Sequence, residues 1–96
     1  MKEREALDLA KQLVESYHWR FTDSAKVGMR AHAIRSSDVR EIILSADSCD
    51  AQDDGCSWRV SGEAFSIAEE CRVVFGFQND AQAVVISAHR LLGRQP

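Results

Sequence analysis

The sequence predicts an α+β domain: three N-terminal helices packed on a three- to four-stranded antiparallel sheet. Apolar residues recur at helical spacing as far as Ala46, the period drops to two beyond it, and turn-forming residues punctuate the second half. Helices and strands that come in blocks, rather than alternating, imply helices gathered on one face of an antiparallel sheet. The 96 residues are expected to close one core as a single domain over 1–96, helical over 3–46 and stranded over 47–90.

Residues 3 to 18 read as an amphipathic helix. Ala6, Leu9, Ala10, Leu13 and Tyr17 form its apolar stripe, and Leu7 and Val14 widen it. Trp19-Arg20-Phe21 is short, aromatic and extended, with rings suited to anchoring that helix to the core. Thr22 or Asp23 can N-cap a second helix, since either side-chain oxygen can accept from a free amide of the first turn. The second helix runs to about His32 and buries Ala25 and Met29; Gly28 inside it costs roughly 1 kcal/mol against alanine. Ile34 is a core plug between helices. Ser36, Ser37 and Asp38 supply the next cap, with Asp38 and Glu41 at capping-box spacing, and Val39, Ile42, Ile43 and Ala46 then share one helical face.

Beyond Ala46 an acidic stretch ends in the turn signal Asp53-Asp54-Gly55. Trp58-Arg59-Val60 is a strand ending at Ser61-Gly62. From Cys71 to Phe77 the residues alternate, Cys71, Val73, Phe75 and Phe77 on one face and Arg72 and Val74 on the other. An Asn79-Asp80 turn joins this strand to an apolar one over Ala83 to His89, making an antiparallel hairpin. The core is expected to hold Leu9, Leu13, Met29, Ile34, Val39, Ile42, Val73, Phe75, Val85 and Ile86.

The longest apolar run is Ala83-Val84-Val85-Ile86, far short of the roughly 20 residues that span a bilayer. The N-terminus has charge without an apolar block, so no signal peptide, no membrane and a cytoplasmic location are expected. Cys49, Cys56 and Cys71 are odd in number and form no C-x-x-C pair, which reads as three reduced thiols. His18, His32 and His89 do not complete a zinc set, and the Asp47–Asp54 stretch lacks the glycine and glutamate of a calcium loop, so neither a metal nor a cofactor is expected. Net charge is −3, which counts against strong nucleic-acid binding. Basic residues nevertheless gather between His18 and Arg40, where Arg20, Lys26, Arg30 and Arg40 are the candidate nucleic-acid contacts.

The blocks RFTDSAKVGMRAHAIRSSDVREIIL, GCSWRVSG, ECRVVFGF and AVVISAH resemble, in order and spacing, a family pattern that reads RFTxHAxxRMxxRGIS, xxDVxxxI, LHVVVG and VVVITAY. That pattern belongs to the family called domain of unknown function 4258, related to RelE-type toxins and to the motility quorum-sensing regulator toxins. The resemblance runs from about Leu9 to His89 and implies a RelE/ParE-toxin-like fold, toxin–antitoxin function and an antitoxin-like protein partner. Ala25, Met29, Ile34, Val39, Val73, Val74 and Ile86 match the pattern. The polar positions differ: Ser24 and Arg72 replace histidines, Gly28 and His32 replace arginines, Ala33 replaces a glycine and His89 a tyrosine.

Metal-free RNA cleavage needs a base for the 2′-hydroxyl, an acid for the leaving 5′-oxygen and cations for the charge gathering on phosphorus. His89 is the one imidazole of the strand half, and an unperturbed imidazole, titrating at roughly pH 6.5, suits either proton role. Arg72 and Arg59 cannot act as bases but can clamp a phosphate, although Arg59 beside Trp58 also suggests a cation–π contact. His89, Arg72 and Arg59 are therefore the candidate catalytic residues of a metal-independent endoribonuclease. The altered polar positions and acidic total keep a second expectation alongside it: a non-catalytic binding or regulatory module acting through a protein or nucleic-acid partner.

Overall fold

The computed structural model describes residues 1–91. Three helices, α1 (Glu3–Glu15), α2 (Asp23–Ala31) and α3 (Ser36–Ser45), combine with five strands: β1 (Trp19–Phe21), β2 (Asp50–Ala51), β3 (Trp58–Ala64), β4 (Ile67–Gln78) and β5 (Gln82–Arg90). The sheet runs β1-β5-β4-β3-β2. It is mixed rather than purely antiparallel, because Trp19–Phe21 forms a strand that pairs in parallel with Ala83–Val85. Burial explains that departure from expectation: the Trp19 and Phe21 rings pack inward, 4.8 Å apart, and bring their backbone against the β5 edge. Asp50–Ala51, within the acidic stretch that precedes the Asp53-Asp54-Gly55 turn, adds the short fifth strand against β3.

Helix α3 lies across β3 and β4, and α1 packs on α3. Between them and the sheet lies the core, with Val14, Val39, Ile42, Ile43, Val60, Val73, Phe75 and Val85 fully buried. The face expected of the third helix is the one that is buried. The first helix is rotated from expectation: Ala6, Leu7, Ala10 and Val14 point inward, whereas Leu9 is half-exposed and Tyr17 is 67% exposed beyond the helix end.

Both early helices stop without a glycine. After α1, Tyr17 has φ 63°, its N–H donating to Val14 O and that of His18 to Leu13 O. After α2, Ala33 has φ 55°, its N–H donating to Arg30 O and that of Ile34 to Met29 O at 2.8 Å. These paired bonds are Schellman caps, which satisfy carbonyls that would otherwise end a helix bare and which favour glycine at the left-handed residue. At the other end of α2, Thr22 Oγ1 accepts from Ala25 N at 3.0 Å, as the sequence suggests. Arg35 is the N-cap of α3, and Asp38 reaches back to accept its N–H at 2.9 Å.

Helix α2 adds Ala25 and Met29 to the core and meets the sheet mainly at β5. It runs beside β5 beyond the end of β1, where an unpaired strand edge would otherwise be exposed. Gly28 permits this approach: a Cβ there would meet Ala88 O at 2.8 Å. With α1 and α3 on one face and α2 along the edge, the other face of the sheet carries no helix and is covered only near Gly76, where the backbone of Cys56 approaches.

Candidate functional site

The open face acquires its chemistry from one irregularity. Val85 pairs with Phe75 but Ser87 pairs with Val74, so Ile86 is an extra residue in β5, a β-bulge. Without it, simple alternation from buried Val85 would send Ser87 and His89 into the core. The bulge resets the parity: Ala88 takes the buried position, Ser87 and His89 turn outward, and Ile86 is 37% exposed instead of filling the core as expected. Thr22 supports the irregular backbone, donating from its N–H to Val85 O at 3.0 Å and from Oγ1 to Ile86 O at 3.1 Å.

As a result Arg72 and His89 are direct cross-strand partners, and Ser61 lies opposite Arg72 on its other side. The adjacent row is Arg59, Val74 and Ser87. Arg59, Arg72 and His89 thus share one sheet face, while Val60, Val73 and Ala88 between them face the core. Arg20 joins the same face, since Trp19 and Phe21 point inward, and its Nε donates to Gln78 Oε1 at 3.2 Å.

The two strand arginines differ in state. Arg59 is paired with Asp50 across β2 and β3 at 3.2 Å, which cancels much of its attraction for a phosphate. Trp58 points into the core, stacked 6.1 Å from Phe75, so the cation–π contact expected between it and Arg59 does not form. Arg72 has no carboxylate partner among the described residues, although its Nε, like that of Arg59, is shielded from solvent without a hydrogen bond. A guanidinium in this state retains its capacity for an anion.

His89 is half-buried, and that burial lowers its pKa below the ordinary 6.5; the charges of His32 and Arg72 push it the same way. A neutral imidazole next to a guanidinium can take a proton from a bound hydroxyl. The third group of the site is His32, which sequence reasoning left aside. It is the C-cap of α2, and its ring centroid lies 6.1 Å from that of His89. Arg90 fixes it from two sides, donating from its backbone N–H to His32 Nδ1 at 3.3 Å and from Nε to His32 O at 2.8 Å. Arg90 is itself held by Glu69 at 3.1 Å. No local signal pairs His32 with His89; the contact exists because α2 docks against β5.

The other basic candidates do not assemble here. Gly28 faces β5, so Lys26 and Arg30, each two positions away at about 3.6 residues per turn, point from the opposite side of α2. Arg40 belongs to the helical side of the molecule, 4.8 Å over the Tyr17 ring and bonded to Glu15 O. It borders a cleft of about 590 Å³ shared with Trp19, Ser36 and Leu44. The expected basic strip is therefore divided among three surfaces. Folding sorts these residues by helix phase, which clustering in the sequence does not specify.

Cys49, Cys56 and Cys71 are free thiols. Burial raises the pKa of Cys49 and Cys71, so neither is a ready thiolate. Asp54 closes the acidic loop by accepting from the backbone of Cys56 and Ser57 and from the Ser57 hydroxyl. Among the described residues no three His, Cys, Asp or Glu side chains gather around a common point for a metal ion. No family model, curated protein or solved structure matches the chain.

Proposed function

We propose that this chain is a toxin-like, metal-independent endoribonuclease working on the open face of its sheet. His89 takes the 2′-hydroxyl proton and returns it to the leaving 5′-oxygen, while Arg72 clamps the phosphate and Arg59 lies one row away. The observation that carries this reading is the cross-strand pairing of His89 with an Arg72 that has no carboxylate partner. A further support is spatial. Gly28, His32, Arg72 and His89 are four of the positions where the chain departs from the 4258-family pattern, and they meet where α2 docks on β5 and β5 pairs with β4. Their gathering along one seam is what a relative with an altered site would have. On this reading the fold is a RelE/ParE-toxin-like variant acting in the cytoplasm, and an antitoxin-like protein restrains it.

The test is cleavage of single-stranded RNA in EDTA, with products ending in a 2′,3′-cyclic phosphate or 3′-phosphate. His89→Ala should slow cleavage by about 10²–10⁴, the usual contribution of a positioned acid or base. Arg72→Ala should also slow it, and lysine should recover only part because it lacks the planar fork. Wild-type rates in both alanine variants would remove this site from the reaction.

The cleft beside Tyr17, Trp19, Arg40 and Leu44 favours a second reading, a non-catalytic module that binds a protein segment there. Aromatic rings next to a guanidinium suit an acidic, partly disordered partner. A wild-type protein that neither cleaves RNA nor arrests growth on overexpression, yet co-purifies with a stoichiometric partner, would decide for that reading.

A further inference from the structure

We propose that His32 and Arg72 form a two-donor oxyanion site flanking His89, built to hold one phosphate group of a ribonucleotide. The proposal deepens the ribonuclease reading and rests on it for the choice of ligand. His32 is held by a contact that dictates which nitrogen it offers. Its Nδ1 accepts the Arg90 backbone N–H, so in the neutral ring the proton is on Nε2, which becomes an outward donor. The Arg90 guanidinium, bonded to His32 O and paired with Glu69, anchors the turn and is not a free competitor for the ligand. A concavity of about 320 Å³, lined by Ala31, His32, Ala33 and Arg90, leaves space next to the ring.

The opposing donor is Arg72, which has no carboxylate partner among the described residues; its Nε is buried, so its terminal guanidinium nitrogens are the ones that face a ligand. Between them is His89, its ring 6.1 Å from His32 and its strand position directly across from Arg72. The two rings are too far apart to hydrogen-bond each other, yet near enough to reach different atoms of one phosphodiester. Glu70, two residues from Arg72 on the same strand and so on the same face, makes no ion pair with it. In the transfer step the 2′-oxygen forms a bond to phosphorus and the bond from phosphorus to the 5′-oxygen breaks. His89 carries the proton from the first oxygen to the second, and His32 Nε2–H and Arg72 bind the non-bridging oxygens. Atoms and charge balance without an oxidant, a reductant or a co-reactant.

The test separates this site from the activity. Long-range ¹⁵N NMR of the histidine rings should find His32 with its proton on Nε2, and titration with uridine 3′-monophosphate should shift the His32 and His89 resonances. His32→Ala should weaken that binding about 10- to 100-fold, the range for one hydrogen bond to a charged group. His32→Gln, which restores an N–H donor at similar reach, should recover part of the loss, and Arg72→Ala should weaken binding at least as much as His32→Ala. The same spectra report whether each variant is folded. Binding as described without RNA cleavage would leave the oxyanion site standing and remove the nuclease reading. RNA cleavage by a wild type whose His32 resonances ignore the nucleotide, with equal affinity in folded His32→Ala and His32→Gln, would overturn the site and spare the nuclease.

Discussion

At the scale of single residues, the clearest strain is at Ala33. A left-handed backbone costs an L-residue roughly 1–2 kcal/mol, and glycine escapes that cost while losing some stability to unfolded-chain entropy. Ala33→Gly should therefore stabilise the fold by about 0.5–1 kcal/mol, read as a melting temperature a few degrees higher. An unchanged or lower melting temperature would mean that the cap tolerates the methyl without strain. His89 supplies a pH signature. Its folded pKa lies below 6.5, chiefly through burial, so the unfolded chain takes up a proton first as pH falls. The stability this group contributes is complete above 6.5 and is lost as pH drops from there through the lower folded value. His89→Gln should flatten that part of the stability–pH curve, as followed by denaturant titrations between pH 8 and 5. Parallel curves for the two proteins would count against a desolvated ring.

At the scale of elements, the docking of α2 on β5 is the critical contact. Helix propensity favours alanine over Gly28 by about 1 kcal/mol. The close approach to Ala88 O opposes it, since forcing atoms into a packed contact costs about 1–3 kcal/mol. Gly28→Ala should thus lower stability by up to about 2 kcal/mol despite its better propensity, and it should push His32 away from His89. Chemical denaturation gives the first quantity and the His32–His89 ring contacts in NMR give the second. A gain in stability would show that α2 is free to recede from the strand at no cost.

For the whole molecule, one core between α1, α3 and the sheet supports the open face that carries the site. Ile42 is fully buried beneath β3 and β4, so Ile42→Ala leaves a cavity and should cost about 2–5 kcal/mol. An unmoved denaturation midpoint would contradict the packing of α3. No helix among the described residues is long and apolar enough to cross a membrane. The acidic total of the chain and the unpaired guanidinium of its open face are compatible, because local geometry governs how one phosphate is held while net charge governs non-specific attraction.

The sequence by itself determined the three helices, the strands around Trp58–Val60, Cys71–Phe77 and Ala83–His89, the inward face of α3, the alternation of β4 and the turn at Asn79-Asp80. Each is written in residues a few positions apart, as a period of 3.6 or 2 or as local turn chemistry. That turn has φ 54° and 55° at its central residues, with Ala81 N–H donating to Gln78 O, the geometry that asparagine and aspartate tolerate. Local signals failed where distant partners decide. The caps at Tyr17 and Ala33 carry no glycine to announce them, and β1 becomes a strand only because β5 lies beside it. Arg72 and His89 were nameable as candidates, but whether they meet depended on register. Because side chains alternate with a period of two, the single extra residue at Ile86 decides whether His89 enters the core or stands beside Arg72. That bulge, and the docking of α2 that brings His32 to the same place, come from pairing across the sheet and so belong to the tertiary structure alone.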